Sequence, residues 1–459
     1  MLRYFCLFFF KEDYAINNTS TIANFLSLNF QDIDTIDEII TSEECKIFIK
    51  LKRKIECCPF CKSELVKIKE WKQRKIKHSL FYAKPTTFYL KVPRYECKIC
   101  GKTFTQKQTY SAPLSRTSYE TSRLVLENLL KYNETFESVG KLLHLSNTTV
   151  QNIFDTYVNP VRGTLPTVLA IDEVYNKGQF SAPYSVVLFN FLKRKVIDVV
   201  LDRSKYSLNQ YFNKLTREEK NNVRYVIMDM WDPYLDVAKC QFPNAIVAID
   251  SFHVMENIGK AVKDTRCRIM KLYAHGSIEY YLLKNYNYLL YKSPDPWREK
   301  EYNSRLKKYV NEYDILQIIL NLHNDLRFAH NFYIRYKGFN DTCSYENAQV
   351  LFDDYVFDKN GEIIEEFVPI ISMLIKWKPY IINSFLIING TRLSNGPLEG
   401  TNSQIKRLLK VGNGYSNFRR FRNRIMHCYN KEIVMSPVEN KIAKIPRKKR
   451  GNYKKTRQF

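Results

Sequence analysis

Apolar positions along this chain change their spacing several times, and each change predicts a different kind of element. Residues up to about 50 read as a weakly acidic leader, with one helix expected near Thr21 to Leu28. Residues 51 to 110 read as a small β-rich module. Between 115 and 158 the pattern is helical, carried by Leu124, Leu126, Leu129 and Leu130, then by Val139, Leu142 and Leu143. From Pro166 to Asp250 the period shortens to that of strands, at 167–172, 184–191, 195–202, 224–229 and 245–250. Helices near 207–215 and 233–241 separate the later strands. From about Val254 to Arg392 the pattern is helical and aromatic, which predicts an all-α insertion with its tyrosines largely in the core. A last helix opens after Asn395.

Three strands on short links, followed by two more reached through helices, is the order of an RNase H-like sheet. A chain of 459 residues can hold two or more such domains. Its formal charge of +25 points to a polyanionic partner. Residues 51–112 hold 16 Lys/Arg against 4 acids and residues 404–459 hold 17 against 2, so these two blocks contain the whole surplus. Two basic blocks flanking a neutral body predict two contacts with nucleic acid. No stretch reaches the ~18 uninterrupted apolar residues of a membrane span. The apolar start Met1–Phe10 has no small-residue cleavage site and runs into Lys11-Glu-Asp13, so it reads as no targeting signal. A cytoplasmic protein is expected.

Eleven cysteines include two CxxC pairs, Cys58-Pro-Phe-Cys61 and Cys97-Lys-Ile-Cys100. Each pair brings two thiolates to one side of a turn, and four complete a closed, structural zinc shell. Cys57 competes with Cys58, but only Cys58 has the two-residue spacing. The stretch between the pairs, rich in Lys, Arg and Tyr, can make the strands of a zinc ribbon.

The segment from Thr135 to Val150 has the rhythm of a helix-turn-helix, with Leu145-Ser146-Asn147 as the turn and Ser146 or Asn147 as the cap. Val139 and Leu143 pack one helix; Val150, Ile153 and Phe154 pack the next. Asn147, Thr148, Thr149, Gln151 and Asn152 are then left to approach a major groove. His144 reads as structural.

Three carboxylates carry the chemistry. Asp172 and Asp229 each end an apolar strand, and Glu399 lies just inside the last helix. Pro397 suits that helix's first turn, with Asn395 or Gly396 as cap. Leu398, Ile405 and Leu409 form an inward stripe, while Glu399, Asn402, Lys406 and Lys410 share an adjacent face. Arg407 adds to this charge, and Arg419, Arg420, Arg422 and Arg424 extend the cationic track. Two acids at strand ends and one on a late helix can converge on a pair of divalent metals, Mg or Mn, which is equipment for cutting and joining phosphodiesters. Glu173 is expected to alternate to the opposite face and Asp232 to cap a helix beginning at Pro233. Asp250 is the rival to Asp229 for the second position, and His253 is either near the site or packed.

These residues resemble the ISL3 family of bacterial insertion-sequence transposases of the DDE type. The resemblance runs from residue 20 to about 430 and rests on the two cysteine pairs, the helix-turn-helix and LAIDE around Asp172. It continues through VIMDMWDPY around Asp229, PNAIVAIDSFHV at 243–254 and SNGPLEGTNSQIKRLLKVGNGYSNFRRFRNR at 394–424. It implies Asp172, Asp229 and Glu399 as catalytic triad and zinc at the N-terminal cysteines. The expected organisation is a leader (1–50), a zinc-ribbon DNA-binding module (51–112) and a helix-turn-helix (113–160). The RNase H-like core follows (165–253), then the insertion (254–392), the core's final helices (393–430) and a basic tail (431–459). The expected partner is double-stranded DNA, both element ends and target, bound by a homo-oligomer in the bacterial nucleoid. The alternative is a zinc-ribbon, helix-turn-helix regulator whose RNase H-like half is inert.

Overall fold

The computed structural model describes residues 30–431 except 55, 56, 82, 113, 114, 177, 358–362, 413 and 414. The helix expected near Thr21 and the basic tail from 432 onward lie outside the described residues. The described residues form two compact units, the first up to Pro160 and the second Val161–Asn430.

The first unit contains a five-stranded sheet of β1 (Ile33–Ile40), β2 (Cys45–Leu51), β3 (Val66–Phe81), β4 (Lys84–Cys97) and β5 (Thr103–Thr105). Its order is β1-β2-β4-β3, with β5 on β4. Residues 33–40 and 45–50, which the sequence reading gave to a leader, are therefore strand. Cys45, Ile47, Ile49 and Leu51 alternate inward and meet Ile76, Phe88, Leu90 and Val92. The edge strand β1 turns mostly acidic or exposed residues outward, which hid it from a hydrophobicity argument.

Three helices follow, α1 (Tyr119–Asn128), α2 (Phe136–Leu142) and α3 (Asn147–Tyr157). Thr135 and Ser138 form a capping box on α2, and Ser146 caps α3 by accepting the Thr149 N–H. The link between α2 and α3 is tight. A Cβ on Gly140 would lie 2.8 Å from the Leu145 carbonyl oxygen, so only glycine lets the chain return this closely. Val139, Leu143, Val150, Ile153 and Phe154 form the shared core as expected.

His78 lies buried between β3 and α1, with Nδ1 3.0 Å from Ser118 Oγ and its ring stacked on Phe88. Burial pushes its pKa from 6.5 down to about 4. The unfolded chain takes up a proton that the folded chain refuses. The stability from a neutral His78 is thus present above pH 6.5 and lost as pH falls toward 4, about 3 kcal/mol in full. Thermal melting between pH 7 and 5 is expected to show this decline in the wild type and a flatter profile in His78→Gln. Equal slopes would exclude it.

The second unit is built on β6 (Val168–Tyr175), β7 (Tyr184–Asn190) and β8 (Lys195–Val200), then α4 (Lys205–Phe212), α5 (Arg217–Asn221), β9 (Tyr225–Met228), α6 (Asp232–Gln241) and β10 (Ile246–Ile249). All five strands fall where the sequence placed them. Their order is β10-β9-β6-β7-β8, parallel from β10 to β6 and antiparallel from β6 to β8. The α6 helix begins at Asp232, whose side chain pairs with Lys376 at 2.7 Å and forms no cap.

After β10 the chain runs directly into α7 (Ser251–Met270), followed by α8 (Ile278–Asn285), α9 (Glu312–Leu320), α10 (Asn324–Thr342), α11 (Tyr345–Val356) and α12 (Val368–Asn383). This insertion is helical but not wholly so: short antiparallel ribbons pair 301–303 with 308–310 and 387–388 with 391–392. Its aromatic residues divide accordingly. Tyr336 and Phe339 are buried, whereas Tyr302 and Tyr309 face outward on the first ribbon. The chain then returns to the sheet through α13 (Gly396–Val411), which packs on β6, and α14 (Phe418–Asn430), which packs on β8.

Candidate metal centres

The two CxxC turns have the same backbone. In the first, Cys58 N–H donates to the Ser63 carbonyl and Lys62 N–H to the Cys58 carbonyl, each at 2.8 Å. In the second, Cys97 N–H donates to Lys102 and Gly101 N–H to Cys97, each at 3.0 Å. Lys62 and Gly101 both take the left-handed conformation that closes each turn, with φ of 62° and 67°. Pairing of Val66 with Cys97 across β3 and β4 brings the turns together. Cys58 Sγ then lies 3.6 Å from Cys100 Sγ and Cys61 Sγ 3.5 Å from Cys97 Sγ. Four sulfurs about 2.3 Å from a central zinc stand about 3.8 Å apart, so the cluster fits that ion with little adjustment. The N–H groups of Cys100 and, against burial, of Ile99 hold the Cys97 thiol down at about 6, favouring the thiolate that zinc binds. Cys57 is exposed and outside the cluster, and every cysteine among the described residues is free of disulfides.

The acidic centre follows from strand register. Parallel pairing sets Ala170 opposite Ile227 and Met228 opposite Ile249. Continuing that register by one or two residues brings Asp172, Asp229 and Asp250 level on three adjacent strands. Asp229 and Asp250 lie just past the ends of β9 and β10, and Asp172 lies within β6, which runs on to Tyr175 instead of ending at the aspartate as expected. The sequence reading treated Asp229 and Asp250 as rivals, but the sheet makes them neighbours. One oxygen each from Asp172, Glu173 and Asp229 lie within 4.8 Å of one another, as do ligand atoms of Asp229, Asp250 and His253. Glu173 alternates from Asp172 along an unbroken β6, as expected, yet one of its oxygens still comes within reach of the Asp172 and Asp229 carboxylates. β9 ends at Met228, and its pairing with β6 stops at Ala170. Arg203, which stacks over Tyr184 and Trp231, holds Glu173 Oε1 at 2.5 Å, and Tyr234 OH donates to Oε2 at 2.8 Å.

The start of α13 is bound to this tier. Asn395, fully buried, donates its backbone N–H to Asp250 Oδ1 at 2.9 Å and its Nδ2 to Asp229 Oδ1 at 3.1 Å. One helical turn beyond Glu399, Asn402 Nδ2 donates to Asp172 Oδ2 at 2.6 Å, while the Glu173 N–H donates to Asp172 Oδ1 at 2.6 Å. Sequence reasoning placed Asn402 on the face of Glu399 but saw Asn395 only as a cap. Its side chain makes no capping bond and donates to Asp229 and the Ile171 carbonyl instead. An asparagine ahead of Gly-Pro, four residues before an acid, was the available signal. Replacing Asn395 by alanine should lower metal-dependent activity about 10- to 100-fold while leaving the fold intact, the usual cost of losing a partner behind a metal ligand. A wild-type rate in a folded Asn395→Ala protein would show that the aspartates need no such support.

The electrostatics call for a cation. Burial first, then repulsion from Asp229, pushes Asp172 up to about 7. Burial and the charge of Asp250 raise Glu399. Asp250 Oδ2 and Glu399 Oε1 are buried without any hydrogen-bond donor. His253 Nε2 stands 2.9 Å from Asp229 Oδ2, and that contact raises the imidazole to about 9, so a positive charge already rests on the tier. Hard carboxylate oxygens left bare in a buried cluster fit a small divalent ion.

The candidate contact residues divide by exposure. Lys406, Arg407, Lys410 and Arg419 are exposed and Arg420 half-exposed. Arg422 is held by Asp198 at 2.5 Å and Arg424 is fully buried beside Cys428, so neither extends a surface track. On α3, Asn147, Thr148 and Asn152 are exposed, while Thr149 and Gln151 are half-buried. Among the described residues no helix is long and apolar enough to cross a membrane.

Comparison with known families adds two matches. Residues 169–425, over half of the chain, match the model of the ISL3 DDE family, described as transposase. Residues 54–100 match a zinc-finger of transposase IS204/IS1001/IS1096/IS1165. No curated protein matches the chain.

Proposed function

Because this chain belongs to the ISL3 family of DDE transposases, enzymes that cleave DNA and transfer strands, we propose that Asp172, Asp229 and Glu399 form its catalytic triad. The observation behind the assignment is the tier itself: two aspartates level on adjacent parallel strands, and Glu399 on a helix whose asparagines bind both of them. Strand order β10-β9-β6-β7-β8 with helical crossovers supports an RNase H-like core interrupted by the insertion.

Two divalent ions, magnesium or manganese, would lie on these carboxylates and supply activation of water and charge stabilisation at the scissile phosphate. The chain's own contribution is positional. Asn402 fixes Asp172, Asn395 fixes Asp229, and the Glu173–Arg203–Tyr234 group forms one wall beside them. Serine or tyrosine nucleophiles are not required, since the 3′-OH freed by the first cut can attack target DNA in the same site.

Recognition of element ends falls to the first unit. The capped pair α2 and α3 supports a helix-turn-helix, with Asn147, Thr148, Thr149 and Gln151 toward base edges. The zinc ribbon adds phosphate contacts, and Lys406, Arg407, Lys410, Arg419 and Arg420 add them beside the catalytic helices. The protein would act as a homo-oligomer on DNA in the nucleoid. The test is incubation of the purified protein with DNA carrying the element's ends, in magnesium and then in manganese. Cuts at defined positions at those ends support the reading. Sequence-specific binding with no cutting in either metal would make the protein a regulator with an inert core.

A further inference from the structure

Within that reading, the hydrogen-bond accounting of the acidic tier singles out a fourth carboxylate. Both oxygens of Asp172 have donors, Glu173 N–H and Asn402 Nδ2. Both oxygens of Asp229 have partners, Asn395 Nδ2 and His253 Nε2. Asp250 differs. It is 1% exposed, its Oδ1 takes the Asn395 N–H, and its Oδ2 takes no N–H, while the Glu399 carboxyl lies beside it. Among the carboxylates of the centre the other bare oxygen is Oε1 of Glu399, and the amide oxygens of Asn395 and Asn402 are bare as well. A buried ionised carboxylate with an empty lone-pair region is costly unless a cation or a shared proton fills it.

The layout also has two halves. Asp229 belongs both to the group with Asp172 and Glu173 and to the group with Asp250 and His253. Asp229 thus stands between Asp172 and Asp250, where one carboxylate is suited to reach two ions. Glu173 is already held by Arg203 and Tyr234, whereas Asp250 has an oxygen to give. Asp250 also precedes α7 without capping it, so its carboxylate is not engaged by the first turn of that helix.

We propose that Asp250 is a direct ligand of one of the two divalent ions, which it holds together with Asp229 and Glu399, so that the centre uses four carboxylates. This rests on the two-ion reading above, and the experiment separates the two. Manganese binding to the full chain without DNA is measured by titration calorimetry and by electron paramagnetic resonance, with zinc content and melting temperature recorded for each protein. Wild type is expected to bind two ions. Asp250→Asn is expected to bind one, with zinc content unchanged.

If Asp250→Asn does not fold, Asp250→Glu takes its place, with the second ion bound at least about tenfold more weakly. Two ions bound with wild-type affinity in either folded variant would overturn the proposal and leave Asp250 as a carboxyl sharing a proton with Glu399. Failure of the parent reading looks different: wild type itself would bind no manganese at this site, or Asp229→Asn would bind as wild type does.

Discussion

Asp229→Asn is expected to reduce cleavage at element ends by about three orders of magnitude or more while changing DNA affinity less than about threefold. The size follows from what the residue does. A metal at the scissile phosphate supplies several kcal/mol of charge stabilisation, and each 1.4 kcal/mol is a factor of ten in rate. Asp229 is the middle member of the tier and is common to both three-ligand groups, so its loss affects more than one contact. Asparagine is nearly isosteric, but it places a neutral amide where the His253 imidazolium and the Asn395 amide now meet a carboxylate. Binding should survive because DNA affinity is dominated by Lys and Arg contacts to phosphate, and Asp229 contributes none. Cleavage and binding measured on one end-containing duplex at fixed salt provide the check. Cutting within tenfold of wild type would move the essential second acid to Asp250. A parallel loss of binding would mean that the substitution had damaged the fold.

Replacing Cys97 by serine should be the most damaging change in the first unit. Four thiolates would enclose one zinc ion, and structural zinc contributes on the order of 10 kcal/mol or more to folding in small domains. Cys97 also terminates β4 and pairs with Val66, so the loss reaches the long β3–β4 hairpin. The core of Cys45, Ile47, Ile49, Phe88 and Leu90 is separate from the knuckles and should hold part of the sheet together. The expectation is one equivalent of zinc lost by elemental analysis, early melting of the first unit, and DNA binding reduced about a hundredfold. Manganese binding at the acidic centre should persist, since those ligands belong to the other unit. Retention of zinc in Cys97→Ser would exclude the four-cysteine assignment.

Much of this was legible in the residues because periodicity and motif spacing are local properties. The five strands of the core are short apolar runs with clear ends, and the cysteine spacing specifies its own geometry. What escaped depended on partners far away in the chain. The first edge strand looked like an acidic leader because only Ile33 of β1 is fully buried. Strand alternation separates Glu173 from Asp172, but alternation alone does not reveal that a Glu173 oxygen comes within 4.8 Å of the aspartates' oxygens. Arg422 and Arg424 were counted as surface charge because a helix rich in arginine reads as exposed, yet one meets Asp198 and the other lies in the core. Asp229 and Asp250 competed only while their strands were considered singly; the register set them side by side.

The position of the insertion has a consequence for synthesis. The ribosome releases all three aspartates well before Asn395, Glu399 and Asn402, which follow the whole helical segment. During that interval the nascent sheet lacks the amides that hold Asp172 and Asp229 and the acid that completes the centre. A premature stop, or a proteolytic cut within the insertion that released the last helices, would therefore leave a fragment able to hold DNA through its first unit but unable to cut it. If the first unit recognises the element's ends as proposed, fragments that retain it would occupy those ends against the intact enzyme and act as inhibitors of the full-length one.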